Sequence, residues 1–273
     1  MEKMTLSAAE LPGLHPEFQR LGLLLGEKVL SALEQTRVVI VGLGGVGSWA
    51  AEALVRSGIG HITIVDNDSV CITNINRQIQ ALHNTIGFPK ATALMKRLLQ
   101  INPRCNLNAF DLIFSRETAS LFGIEKADYV IDAIDSLNHK LDLIQFTQDA
   151  RRPILFSSMG MARRLDPTRL KTEDIWKTKG CPFARLVRYG LRKRAYSGCF
   201  TAVYSDERAK ALCTCSADTE AFLCACSADT EASFKKPDNK KSANGSAVTV
   251  TAAAGMILAS LVLRDVYGDN THG

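Results

Sequence analysis

Arg37-Val-Val-Ile-Val-Gly-Leu-Gly-Gly-Val-Gly-Ser48 is the stretch on which the fold turns. Val38 to Val41 are four apolar residues that read as a buried strand. They run directly into Gly42, Gly44, Gly45 and Gly47, and a helical pattern with Ala50, Ala51, Ala53 and Leu54 follows. A strand, a glycine turn and a helix start form the context in which glycines bind phosphate. Glycine lets the backbone turn tightly and come close to an anion, and the helix N-terminus offers unpaired N–H groups and a partial positive charge. Gly58 suits the cap of this helix. Taken alone, the turn does not choose between NAD and ATP.

Working outward, His61–Val65 is the next strand, and it ends at Asp66, nineteen residues past Gly47. A carboxylate there suits a ribose hydroxyl. The polar connection Cys71-Ile-Thr-Asn-Ile-Asn-Arg-Gln78 has no strong period. Pro89 opens a helix through Gln100, with Lys90 in its first turn. A cation there opposes the helix dipole, which a phosphate ligand would explain. Asn106–Phe110, Asp128–Ile134 and Ile154–Ser157 read as strands, with a helix from Asn138 to Ala150 before the last. The alternation predicts an α/β fold, a doubly wound and mainly parallel Rossmann-like sheet. Asp135 then lies beyond the carboxyl end of a central strand, where such sheets bind ligands.

On the N-terminal side, Pro12 and Pro16 break residues 1–20, and Phe18 to Leu33 reads as one helix weakened by Gly26. Past Ser158, a hairpin is expected from Met161–Leu165 and Arg169–Thr172 around Asp166-Pro167, then a helix over Pro182–Arg194. Segment 163–194 is heavily basic, with Arg163, Arg164, Arg169, Arg188, Arg192, Lys193 and Arg194 and the interleaved Tyr189 and Tyr196. Such clustering suits a polyanion, although a solvated helix face has the same composition. Three parts result: an N-terminal helical segment (1–36), a nucleotide-binding domain (37–160) and an appendage (161–273) of hairpin, basic helix and C-terminal helix.

Within the appendage, Cys215-Ser-Ala-Asp-Thr-Glu-Ala221 recurs as Cys226-Ser-Ala-Asp-Thr-Glu-Ala232. The repeat marks 205–245 as a loop insertion. Cys213-Thr-Cys215 and Cys224-Ala-Cys226 leave one residue between sulfurs, whereas structural zinc pairs usually leave two to four. Ala247 to Leu263 is uncharged over seventeen residues, short for the roughly 20 of a bilayer span. A buried helix, at a subunit contact, is expected, with membrane association as the alternative. Net charge is +5, and eight cysteines without a charged-then-apolar leader suit a cytoplasmic chain of reduced thiols.

As a set, Gly42-x-Gly-Gly-x-Gly47, Asp66-x-Asp68, Asn74-x-x-Arg77-Gln78, Gly87-x-Pro-Lys90, Ile101-Asn-Pro103 and Asp132-Ala-Ile-Asp135 resemble the E1-like (ThiF-type) adenylating superfamily. Gly45-Val-Gly-Ser-Trp-Ala-Ala-Glu-Ala-Leu54, Ser57-Gly-Ile-Gly60 and Leu165-Asp-Pro-Thr168 before a basic helix look like the tRNA threonylcarbamoyladenosine dehydratases within it. The resemblance implies ATP-dependent ring closure on threonylcarbamoyladenosine in tRNA through an acyl-adenylate. It implies nucleotide contacts from the four glycines, Asp66 on the ribose and Asp68 and Gln78 beside it, with Asn74, Arg77 and Lys90 on the phosphates. It implies Mg²⁺ on Asp135, catalytic roles for Arg77, Lys90 and Asp135, and tRNA contacts from Arg163, Arg164, Arg188, Arg192, Lys193 and Arg194. It also implies a homodimer, in which an N-terminal arginine reaches the partner's ATP. The usual place for that arginine reads Leu23-Leu-Leu25, and Arg20 is the nearest.

Three alternatives stand beside this reading. One is an activator of a ubiquitin-like sulfur carrier, which would bring a sulfur-acceptor or sulfur-donor protein as partner. Another is a nicotinamide dehydrogenase, which leaves Arg77, Lys90 and Asp135 unused. The third is a tRNA-binding protein without catalysis. No DNA partner is expected.

Overall fold

The structure is a computed structural model that describes residues 15–211 and 245–271. The duplicated cysteine segment, with its zinc reading, lies outside the described residues.

Seven strands form one sheet in the order β3-β2-β1-β4-β5-β7-β6. β1 (Arg37–Val41), β2 (His61–Val65), β3 (Asn106–Phe110), β4 (Tyr129–Asp132), β5 (Ile154–Ser158) and β7 (Thr201–Ser205) run parallel, and β6 (Leu170–Asp174) is antiparallel to β7. β1 is flanked by β2 on one side and β4 on the other, so strand order reverses at the glycine turn. Open parallel sheets form their ligand crevice at such a point.

The near-continuous β-branched runs reflect burial on both faces. On one face Val38, Ile40, Ile62, Ile64 and Ile131 pack with α2 (Glu27–Gln35), α3 (Gly47–Arg56), α4 (Lys90–Ile101) and the last helix, α7 (Val248–Thr271). On the other, Val39, Val41, Val65 and Val130 pack with α5 (Leu137–Ala150), α6 (Pro182–Lys193), Phe114 and Phe122.

Two expectations from the sequence change. The N-terminal helix is broken into α1 (Gln19–Leu25) and α2, because Gly26 sits at φ 86°, a conformation that ends a helix and that glycine takes without strain. The hairpin across Asp166-Pro167 does not form. Asp166 instead caps a single 3-10 turn, accepting the Thr168 N–H at 2.9 Å, and β6 pairs with β7, from which α6 separates it in sequence. Turn residues signal a change of direction but do not say which strand the chain meets afterwards. α7 is long and apolar enough to cross a bilayer by composition, yet Val250, Ala254, Leu258, Ala259, Val262 and Val266 are buried against α3 and the sheet. The Tyr129 hydroxyl donates to Asp265 at 2.8 Å and ties this helix to β4.

Candidate active site

The carboxyl ends of β1, β2 and β4 bring the sequence-predicted residues to one edge. β1 ends in the glycine turn, where Gly42 has φ 92° and a Cβ would lie 2.7 Å from the Ala133 carbonyl oxygen. Only glycine fits there. β2 ends at Asp66, whose Oδ2 accepts the Leu43 N–H of the glycine turn at 2.6 Å, while Oδ1 accepts the Asp68 N–H at 2.9 Å. Asp66 therefore shapes the turn and leaves its remaining lone pairs for a further donor. Burial pushes its carboxyl above the usual range; the Lys90 cation and the two N–H donors oppose that rise.

Lys90, in the first turn of α4, is buried and donates to Asp68 Oδ2 at 2.7 Å. Here is the partner that offsets its unfavourable place on the helix dipole, and the ammonium keeps two further protons for a ligand. Arg77 lies half-buried, with its stem against the glycine turn; a Cβ on Gly45 would meet it at 3.1 Å. Its Nη1 donates to the Thr73 carbonyl and to Asn76 Oδ1, each at 2.9 Å. Burial pulls the guanidinium's basicity down, and the nearby Asp135 and Cys71 oppose this. Asp135 itself is exposed, three residues past the end of β4. Asn74 is buried and accepts the Cys71 N–H at 3.1 Å, so its carbonyl oxygen holds the loop and only its NH₂ remains for a ligand. Gln78 is buried beneath it, 3.5 Å from Gln80.

Several contributors had no local signal in the sequence. Gln80 Nε2 donates to the Leu43 carbonyl at 2.8 Å, Trp49 Nε1 donates to the Arg77 carbonyl at 2.9 Å, and Thr251 of α7 presses on Gly45. Each joins segments far apart in the chain, which a spacing rule does not register.

The basic segment is divided. Arg163 and Arg164 lie near the ligand edge, where Arg163 N–H donates to the Gly245 carbonyl. Arg164, expected on a tRNA surface, is instead buried in the field of Glu207. α6 starts at the ligand edge, with Phe183 against Gly160, and leads away from it. Arg192 and Lys193 are exposed and stand over the Trp176 and Tyr189 rings, at 5.4 and 4.7 Å. Arg188 is half-buried and donates to the Thr178 hydroxyl, and Arg194 is drawn onto Asp142 at 2.6 Å.

A doubly wound sheet with a glycine turn, a carboxylate at the end of the next strand and two cations at its switch point is the arrangement of a nucleotide-binding α/β protein. Residues 18–272 match the ThiF family model, and the chain belongs to that family. It is 43% identical over 192 residues to a tRNA threonylcarbamoyladenosine dehydratase of Bacillus subtilis, covering 70% of this chain and 75% of that protein. The structure of the E. coli tRNA N6-threonylcarbamoyladenosine dehydratase in complex with ATP superposes with a TM-score of 0.77 at 31% identity, over 94% of this chain and 96% of that one. A molybdopterin-synthase adenylyltransferase of E. coli is 36% identical over 107 residues, only 39% of this chain and 42% of that protein.

Proposed function

We propose that this chain is an ATP-dependent tRNA threonylcarbamoyladenosine dehydratase, which closes the threonylcarbamoyl side chain of the modified adenosine into a ring. The observation that carries the reading is the likeness to the ATP-bound E. coli dehydratase along nearly the whole of both chains. The likeness to the molybdopterin-synthase adenylyltransferase covers a much smaller part of the chain.

A carboxylate acylates poorly because oxide is a poor leaving group. In the proposed reaction the threonylcarbamoyl carboxylate attacks the α-phosphorus of ATP, and pyrophosphate leaves. An internal nitrogen of the same side chain then attacks the acyl carbon, and AMP leaves with the oxygen. Asp66 accepts from the ribose, and the glycine turn with the α3 N-terminus cradles the phosphates. Arg77 and Lys90, with Asn74 beside them, offset the charge that builds on the phosphates. Asp68 acts by aligning Lys90, and Gln78 by supporting the floor of the site. Asp135, exposed at the edge, fits Mg²⁺: the ion is content with one or two protein oxygens plus phosphate oxygens and water, and no cluster of three or more metal-binding side chains exists among the described residues. Bound there, Mg²⁺ would supply charge stabilisation to the phosphates.

The exposed cations along α6, with Arg163, are the reading's tRNA contacts. A homodimer in the cytoplasm is part of the reading; Leu23 and Leu24, exposed on α1 beside Arg20, support the dimer. The test is incubation of threonylcarbamoylated tRNA with the protein, ATP and Mg²⁺. Nucleoside mass spectrometry should show loss of one water, with one pyrophosphate released per ring. Pyrophosphate release that requires a carrier protein's C-terminus, and not tRNA, would replace this reading with the sulfur-carrier one.

A further inference from the structure

Asp132, the first carboxylate of the Asp132-Ala-Ile-Asp135 motif, does not reach the ligand edge. It is fully buried, and so is Lys140 of α5. Lys140 Nζ donates to Asp132 Oδ2 at 2.7 Å, to the Ser158 carbonyl at 3.0 Å and to Ser157 Oγ at 3.3 Å, which uses all three ammonium protons. Ser157 Oγ in turn donates to Asp132 Oδ2 at 2.7 Å. The other carboxylate oxygen, Oδ1, accepts the Ile134 N–H at 3.1 Å.

A buried ion pair is an expensive way to fill a core, because desolvation offsets most of the attraction, and apolar residues of similar volume often do as well or better. In the sheet Asp132 stands between Val41 of β1 and Ser157 of β5, and Val130, Ile131 and Phe156 next to these positions are apolar and buried. Core stability thus gives little reason for the pair. Its position gives another. The turn it holds, Ala133-Ile134, is the surface on which the glycine turn rests: a Cβ on Gly42 would lie 2.7 Å from the Ala133 carbonyl oxygen, and one on Gly47 would lie 3.1 Å from Ala133 Cβ. The next residue along is Asp135, whose charge reaches Arg77 on one side and Lys140 on the other.

We propose that Lys140 is a positioning residue for adenylation: through Asp132 and Ser157 it locks the 133–135 turn, so that Asp135 and the glycine turn hold one fixed geometry. Lys140 touches neither nucleotide nor substrate. The inference rests on the adenylation reading above for its kinetic part only, because the lock is a property of the chain.

The test replaces the pair by apolar groups in the full-length protein, as Lys140→Met/Asp132→Leu, which leaves no buried charge unpaired. It should melt near the wild-type temperature and keep its KM for ATP, while kcat for pyrophosphate release with modified tRNA falls by about tenfold or more. A kcat equal to wild type would overturn the proposal, since a merely structural pair is dispensable once both charges are gone. If the double variant does not fold, Ser157→Ala decides: it removes one bond to Asp132, and kcat should fall by about threefold with KM unchanged, whereas an unchanged kcat overturns the proposal. Amide exchange at Ile134 tests the lock without any substrate. It should speed up about tenfold in Ser157→Ala, and an unaltered rate would sink the inference. Wild-type protein that is inactive on the modified tRNA would refute the substrate assignment and leave the exchange measurement as judge of the lock.

Discussion

At the ligand edge of the sheet, Lys90 is 6% exposed with its ammonium on Asp68, and Arg77 lies half-buried with its stem on the glycine turn. Along α6, Arg192 and Lys193 stand in solvent over the Trp176 and Tyr189 rings. Both regions are cationic, but they work by different physics. A cation with little water around it acts at short range, is weakly screened, and matters by its exact distance from a developing charge. An exposed cation acts over about a Debye length, is replaceable by its neighbours, and weakens as salt rises. On the proposed function, the edge suits chemistry and α6 suits holding a polyanion.

The sharpest way to break this comparison is at Asp135. Asp135→Asn preserves shape and removes one charge from the edge. Pyrophosphate release should fall by roughly two to four orders of magnitude, about 3–5 kcal/mol at the transition state, with a smaller effect on nucleotide binding. Near-normal turnover would overturn the proposed Mg²⁺ role of Asp135. Arg77→Ala should cost about two orders of magnitude in kcat through the same charge balance, and raising the salt concentration should not restore or deepen the loss. A loss that tracks ionic strength would put Arg77 in the same class as the α6 cations.

Asp66 sharpens the comparison through pH. Its carboxyl is raised by burial, and the ionised form is the stronger acceptor for the ribose hydroxyl of the proposed function. ATP affinity should therefore fall as pH drops through that raised value, beginning above the ordinary aspartate range near 3.9. Calorimetric ATP titrations across acidic pH check this, and Asp66→Asn should flatten the profile while weakening binding.

The smallest effect per residue is expected on α6. Arg192→Ala with Lys193→Ala should weaken tRNA binding and flatten its dependence on salt, each lost phosphate contact changing the slope by about 0.7–0.9. ATP affinity measured without tRNA should not move. Arg194 is left out of this set because Asp142 already holds it. An unchanged salt slope would reduce the α6 face to ordinary solvated charge.

Much of the edge was legible because its signals are local. Gly42, Asp66, Lys90 and Asp135 each stand at a strand end or helix start that periodicity and turn residues mark. The basic segment was legible only as composition: nothing in the spacing of Arg163, Arg164, Arg188, Arg192, Lys193 and Arg194 says that Arg164 is buried, that Arg194 meets Asp142, or that Arg192 stacks over Trp176.

By itself, then, the sequence determined the parallel sheet, the glycine turn and the carboxylates and cations around it, since strand period, helix caps and glycine turns follow from neighbours within a few residues. Tertiary structure alone decided which charges are left for a ligand. Asp132 stands in a sequence motif, but nothing in the sequence pairs it with Lys140 eight residues on; helix α5 packs against β4 and seals the two together with Ser157. β6 met β7 rather than the chain before Asp166, and α7 closed over α3 from the far end of the sequence. Partners brought together by a crossover or a returning helix have no fixed separation in the chain, and burial, which sets the strength of each charge, depends on all of them at once.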